Sequence, residues 1–137
     1  MLYSNHITVA ASTTEANRVR TQFKINRGVI HRIWATFPPG CADLVNFRIL
    51  HDEHPIIPSL KHQYVTGNNY TYVYHPFVPI TVEPALITIE TWSDDDTYSH
   101  KLHFQVSVIS KIWLIPAGAV MGITASLKAL FDRSRSS

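Results

Sequence analysis

The most regular alternation of apolar and polar side chains lies between Pro84 and Ile109, in two runs separated by an acidic loop. The apolar positions of the two runs are Ala85, Ile87, Ile89, Leu102, Phe104, Val106 and Val108. Because successive side chains of a strand point to opposite faces of a sheet, this period of two predicts two long strands. Each strand then has one buried face and one more polar face. The loop between them, residues 92–100, is the most polar stretch of the chain.

Shorter alternating runs precede this pair, and turn-forming residues separate them. The runs fall at residues 3–11, 18–25, 29–37, 45–49, 63–65, 70–75 and 78–82. Roughly eight short strands at a spacing of about 8–12 residues, with no helical pattern between them, predict an all-β fold with packed antiparallel sheets. We expect a β-sandwich, with a single eight-stranded jelly roll as the first choice and a Greek-key sandwich as the second.

Two details of this sandwich follow from local patterns. The strands 19–25 and 29–37 are joined by the turn Asn26-Arg27-Gly28, which predicts a hairpin. In the second of these strands we expect Ile33 on the buried face and Ile30 on the opposite face with Arg32. The side chains expected in the core are Ile33, Phe47, Ile89, Phe104 and Val106.

The end of the chain has a different pattern. The sixteen residues from Ile112 to Leu127 carry no charge, and Pro116 lies near their start. An apolar stripe recurs at steps of three and four residues, at Val120, Ile123, Leu127 and Leu130. The stretch is shorter than the ~20 residues of a membrane-spanning helix, so a helix or arm that contacts a neighbouring subunit is expected before a shallow membrane anchor. We therefore divide the chain into a β-sandwich domain, 1–110, and a hydrophobic arm with a polar tail, 111–137.

Composition narrows the function classes. A chain of 137 residues with 45% hydrophobic and 11% aromatic residues can bury the core of one domain. Charged residues make up 16%, below the ~25% of an ordinary soluble domain, and a neutral surface suits contact with other proteins. The formal charge of +2 is too small to indicate specific nucleic-acid binding.

Cys41 and the start of the chain bear on the compartment. A single cysteine excludes an internal disulfide and a multi-cysteine zinc site, and Cys41 is expected to be a small, partly buried apolar residue. The first residues lack the basic start and the apolar run of a signal peptide. We expect assembly inside a cell, which for a viral protein is the host cytoplasm.

Histidines and aspartates are the candidate metal ligands. His51 and His54 flank an acidic pair, and His100 and His103 stand three residues apart. A metal site needs three or four converging ligands, and the His-x-His spacing that two neighbours on one strand face would give does not occur. The run 94–96 consists of three aspartates but lacks the spacing of a calcium loop. We expect no metal ion and no cofactor.

No motif predicts catalysis. None of the serines lies in a Gly-x-Ser-x-Gly turn, and a chain with five glycines shows no phosphate-binding glycine loop. Cys41 has no histidine that the sequence pairs with it. We expect the protein not to be an enzyme.

Two strand faces are candidates for binding. Tyr70, Tyr72 and Tyr74 share one face, and they form either a platform for sugars or partners or one half of the core, which is the favoured interpretation. Arg18, Arg20 and Lys24 form a basic face that we expect to be solvated or to contact a subunit of opposite charge.

The run from Val29 to Pro58 reads as a strand, Phe-Pro-Pro-Gly, a second strand, a polar loop and Ile-Ile-Pro. Together with residues 84–109, it resembles small single-domain β-sandwich proteins of virus and phage particles, of the jelly-roll type found in vertex, decoration and neck proteins. The resemblance covers residues 18–110 and implies a repeated building block without catalytic activity. It implies no particular site residues.

We therefore expect a structural assembly protein, a minor capsid, vertex, decoration or neck component of a virion. Its expected partners are copies of itself and other shell proteins, with no specific nucleic acid and with lipid contact through the arm as the other option. The alternative is a carbohydrate-binding β-sandwich module, for which the tyrosine strand and the polar loops would contact a glycan.

Overall fold

The computed structural model describes residues 1–82 and 84–109, which form ten strands and one turn of 3-10 helix at Glu15–Asn17. The strands are β1 (Leu2–Val9), β2 (Val19–Ile25), β3 (Gly28–Phe37), β4 (Val45–His51), β5 (His54–Ile57), β6 (Val65–Thr66), β7 (Tyr70–Tyr74), β8 (Val78–Ile80), β9 (Ala85–Ser93) and β10 (His100–Ile109). The all-β prediction is confirmed.

The strands form two antiparallel sheets. In sheet I the order is β1-β10-β3-β7, and β8 also pairs with β3. In sheet II the order is β2-β9-β4-β5, and β6 also pairs with β4. Pro55, Pro76 and Pro79 lie in or beside the short pieces, where a missing backbone N–H is tolerated at a sheet edge.

This order is that of a jelly roll. β5 and β6 share one position beside β4, and β7 and β8 share the next position beside β3. Counted in this way, the strands occupy eight positions along the chain. β1 pairs with β10, β2 with β9, β3 with the position shared by β7 and β8, and β4 with the position shared by β5 and β6. Two Greek keys wrapped in this way make the eight-stranded jelly roll.

The predicted hairpin between residues 19–25 and 29–37 is wrong. β2 pairs with β9 in sheet II, whereas β3 pairs with β10 and β7 in sheet I. In a jelly roll the consecutive strands at this point belong to different sheets, so residues 26–27 connect the two sheets rather than two paired strands. Likewise, β9 lies in sheet II and the next strand, β10, lies in sheet I.

The core lies between the sheets and follows the predicted alternation. Ile33, Phe47, Ile89, Phe104 and Val106 are all buried, as predicted. Aromatic rings form its centre, since Phe47 lies edge-on to Phe104 at 5.0 Å between ring centroids and contacts Phe37 at 5.6 Å.

The predicted outward position of Ile30 is wrong. The pairing of β3 with β10 shifts register between Ser107 and Val108, so that Val108 lies opposite Ile30 and Ser107 opposite Arg32. One extra residue of β3, His31, interrupts the alternation, and this β-bulge turns Ile30 into the core beside Ile33.

Four loops meet at one end of the sandwich, which we call the loop end: residues 10–18, 38–44, 67–69 and 94–99. Backbone hydrogen bonds tie them together, for example from Ser12 N to Asp95 O at 2.7 Å and from Asp94 N to Leu44 O at 2.8 Å. Loops anchored in this way hold their polar side chains in fixed positions.

Candidate functional site

The three tyrosines predicted as a possible platform lie on β7 at an edge of sheet I. Tyr72 and Tyr74 pack against the core, and the Tyr72 hydroxyl donates a hydrogen bond to the carbonyl of Thr66 at 2.8 Å. Burial, with a smaller effect of Tyr72, raises the pKa of Tyr74 to about 12. Tyr70 is 58% exposed, so of the three it is the ring that a ligand can reach.

The predicted arm residues lie outside the described part of the chain, and the arm stays a prediction. These residues are Val120, Ile123, Leu127 and Leu130. The last described residue, Ile109, lies in β10 opposite Val29.

The candidate metal ligands do not converge. Within residues 1–82 and 84–109, no three histidine, cysteine, aspartate or glutamate side chains lie close enough together to hold a metal ion. His51 contacts its neighbour Asp52 at 3.3 Å, and His54 is exposed. Asp94 and Asp96 point into solvent, whereas Asp95 between them is buried.

We therefore expect the melting temperature to be independent of metal ions. Dialysis against EDTA should leave the thermal transition of the full chain unchanged, because no described carboxylate or histidine cluster gains stability from a bound cation. Differential scanning fluorimetry before and after dialysis checks this. A fall of several degrees that zinc or calcium restores would contradict it.

The outer face of sheet I carries few charged residues. Its outward side chains on β1, β3 and β10 are Leu2, Ser4, His6, Thr8, His31, Arg32, Trp34, Thr36, Lys101, His103, Gln105 and Ser107. None of these is a carboxylate. The Arg32 guanidinium lies over the Trp34 ring at 5.5 Å from its centroid, in cation–π contact.

Two histidines stack on this face. The rings of His6 and His103 are parallel within 4° at 4.1 Å between centroids, and the Ser4 hydroxyl lies 2.9 Å from Nε2 of His103. Burial and then the neighbouring His6 lower the pKa of His103. The folded state therefore resists protonation of His103.

The outer face of sheet II contains a buried carboxylate held by three arginines. Glu90 on β9 is 2% exposed, although the alternation had placed it on the polar face. Its Oε1 accepts hydrogen bonds from Nε of Arg48 at 2.7 Å and Nε of Arg18 at 3.1 Å. Nε of Arg20 lies 3.0 Å from Oε2. The cluster joins β2, β9 and β4 across the face.

The charge of Glu90 is favoured by its partners. Burial raises the pKa of this carboxyl, but the hydrogen bond and charge of Arg48, together with the charges of Arg18 and Arg20, outweigh burial and hold the pKa below its ordinary value. Arg20 also binds both carboxylate oxygens of Glu53 at 2.7 Å. Two of the three basic residues predicted to be solvated are thus engaged within their own domain.

A buried hydrogen bond between Asp95 and His100 organises the loop end. Asp95 Oδ2 lies 2.7 Å from Nε2 of His100, and Oδ1 accepts the backbone N–H groups of Thr97 and Tyr98. The bond to His100 and then the one from Thr97 lower the pKa of Asp95. Asp95 therefore fixes the shape of the loop between β9 and β10.

Cys41 lies near this pair in a loop but is 0% exposed. Burial, and then the charge of Asp95, raise the pKa of its thiol, so little thiolate is present near neutral pH. The sequence predicted a small, partly buried apolar residue here, and the structure buries Cys41 completely.

The sequence did not reveal the Glu90 cluster, the Asp95–His100 pair or the His6–His103 stack. Glu90 gave one signal, because it stands alone in the otherwise uncharged run from Ala85 to Ser93. A lone charge in a strand of this kind indicates a paired, buried group.

Comparison with known proteins identifies no family for this chain. No protein-family model matches the sequence, and no curated protein matches it. One solved structure, "Crystal Structure of FLHE", is 10% identical with a TM-score of 0.37, over 77% of this chain and 94% of that chain. A likeness of this size carries no argument about function. In the described part of the chain, no helix is long and apolar enough to cross a membrane.

Proposed function

We propose that this protein is a structural assembly protein without catalytic activity or a cofactor, a component of a virion in a minor capsid, vertex, decoration or neck position. Jelly rolls serve as capsid domains, lectins and cupins, so the fold limits the possible functions but does not identify one of them. The surface of the domain supplies the further support.

The observation that carries the proposal is the outer face of sheet I. It has no carboxylate among its outward residues on β1, β10 and β3, and it exposes Val73 beside Trp34 through the neighbouring strand β7. Arg18, Arg20 and Arg48 are held by Glu90 on the other sheet. A broad face with few charges and an aromatic centre suits contact with another protein.

The proposed partners are copies of the same chain and other proteins of the shell, joined in the host cytoplasm. The β-domain supplies its outer sheet faces, and the uncharged stretch from Ile112 to Leu127 supplies an arm. Covering the four stripe residues named above is worth about 6–12 kcal/mol before entropy costs, at about 1.5–3 kcal/mol each. Contact with a neighbouring subunit is proposed, and lipid contact is the other outcome of the test.

Deleting residues 117–137 tests the arm. The β-domain should stay folded, because the jelly-roll order is complete within residues 1–109, whereas multimer formation or incorporation into particles should be lost. Light scattering of the full and shortened chains gives their masses, and circular dichroism reports the fold.

Each outcome has a distinct meaning. Normal assembly of the shortened chain would contradict the arm, and loss of folding would place the arm in the core of its own domain. Binding of the full chain but not the shortened chain to lipid vesicles, without multimers, would make the arm a membrane anchor. A full-length chain that is monomeric and joins no particle would contradict the assembly function.

A carbohydrate-binding module is the second candidate, favoured by the exposure of Tyr70 and by Trp34 among hydroxyl and amide side chains. Glycan-array binding that is lost in Tyr70→Ala but kept in Tyr98→Ala, by a stable monomer, would support it. Tyr70 is the better probe than Tyr72, because the Tyr72 hydroxyl is bonded to Thr66 and its ring packs on the core.

A further inference from the structure

The outer edge of β1 presents backbone groups that no strand in the described part of the chain pairs with. Within the described residues β1 pairs on one side only, with β10. The Met1 amino group donates to Val108 O at 2.7 Å, and Val108 N donates to Met1 O at 2.8 Å. Bonded pairs of an antiparallel ladder alternate with unbonded ones. The residues that direct their N–H and C=O groups to the edge are therefore Leu2, Ser4, His6 and Thr8.

This edge lacks the usual protection against pairing. Edge strands are normally protected by charged side chains, prolines or short length. β2, the adjacent edge of sheet II, carries Arg20 and Lys24, and β5 contains Pro55. β1 has eight residues, with no proline, lysine, arginine or carboxylate among them.

A pocket opens beside the same edge. It has a volume of about 110 Å³ and lies between β1 and β2, where the Tyr3 and Phe23 rings stand 5.8 Å apart. Phe104 and Val106 form its floor. A strand added along β1 would cover the mouth of this pocket and remove its aromatic lining from water.

We propose that a second copy of this chain pairs along β1, antiparallel and related by a two-fold axis, so that the two copies of sheet I form one continuous sheet. The inference rests on the proposed assembly function and names one of its surfaces. With Leu2 opposite Thr8 and Ser4 opposite His6 of the second copy, all the edge-facing groups are paired. The interface is isologous, because both copies contribute the same strand.

Asn5 favours a second copy over another partner. It is the polar residue on the inward side of β1, where its neighbours are Tyr3 and Ile7, and it lines the pocket. In the proposed register the axis passes between the two Asn5 residues. An amide both donates and accepts hydrogen bonds, so two Asn5 side chains can satisfy each other across the axis.

A cysteine at this position tests the register. Directly opposite residues of an unbonded pair have Cα atoms about 4.5 Å apart, which lies within the disulfide range of about 4.4–6.8 Å. Mild oxidation of full-length Asn5→Cys should therefore give a covalent dimer at twice the 15.5 kDa chain mass. Buried Cys41 should give none in the unsubstituted chain. The matched control is Thr71→Cys, which is exposed on the other edge strand of sheet I and should crosslink at least about tenfold more slowly.

A second substitution isolates the backbone bonds. Ser4→Pro removes an N–H that points to the edge, a position that tolerates proline, so the melting transition should persist while crosslinking of Asn5→Cys is lost. Crosslinking no faster than in Thr71→Cys, or unaffected by Ser4→Pro, would overturn pairing along β1. If the unsubstituted chain is still multimeric by light scattering, the assembly function survives that result. A chain that is monomeric at every concentration and joins no particle overturns both.

Discussion

Phe104→Ala should lower the free energy of unfolding by about 3–5 kcal/mol, the range for removing a buried ring from a packed core. Phe104 is 1% exposed and lies edge-on to Phe47 at 5.0 Å, so its removal takes away an aromatic contact as well as apolar area. For a domain of this size, the melting temperature should fall by roughly 12 °C or more. Urea unfolding followed by tryptophan fluorescence gives the free energy directly.

Phe77→Ala is the matched control, because it removes the same ring from a side chain that is 57% exposed. Its effect should stay within about 0.5 kcal/mol, as for most surface substitutions. A loss below about 1 kcal/mol in Phe104→Ala would mean that the ring between the sheets does not support the core.

The fold was predictable because the core depends on a local pattern. The alternation of β10 alone places Phe104 and Val106 inside, whichever strands are its neighbours. Pairing is not local, and for this reason the β2–β3 hairpin was predicted wrongly. A turn such as Asn26-Arg27-Gly28 can end a hairpin or cross between two sheets, and the choice is made by the whole strand order. The bulge that turns Ile30 inward depends in the same way on the register with Ser107 and Val108.

The polar clusters were less predictable than the core. Arg48 lies 42 residues from Glu90 in sequence, and strand order alone brings them to 2.7 Å. Asp95 and His100 are close in sequence, yet the loop of three aspartates gave no reason to bury the middle one. The three tyrosines of β7 lie on one face of the strand, as the alternation predicted, but the alternation did not show that Tyr70 would stay exposed.

Charge pairing and surface neutrality are connected in this domain. The arginines that the sequence suggested as a solvated basic face are held by Glu90 and Glu53, so they add little free charge to the surface. The outer face of sheet I has no carboxylate among its outward residues on β1, β10 and β3, and β1 itself carries no lysine, arginine, aspartate or glutamate. A subunit built in this way can approach its own copies without strong repulsion, which is the property that the proposed assembly requires.

Glu90→Gln should destabilise the protein by about 3 kcal/mol, at the lower end of the range for removing one partner of a buried ion pair. The loss arises because Arg48 keeps its charge in a largely buried position after its acceptor is neutralised. The side chains of Arg18 and Arg20 are 35% and 39% exposed, so water compensates for much of the interaction with Glu90 that they lose. Glu53→Gln is the control, since Glu53 is 61% exposed and its pairing with Arg20 should be worth less than about 1 kcal/mol.

The pH dependence of this difference identifies the charge as its cause. The pKa of Glu90 is lower in the folded than in the unfolded protein, so the unfolded state binds the proton more readily as the pH falls. The stabilisation is therefore complete above the ordinary glutamate pKa and is lost as the pH falls through the folded-state pKa. Urea unfolding of the unsubstituted protein and of Glu90→Gln at pH 7 and at pH 3 should show a smaller difference between their free energies of unfolding in acid. Asp95 is present in both proteins and therefore does not contribute to this difference. A gap that stays constant between these pH values would mean that shape, rather than charge, makes Glu90 important.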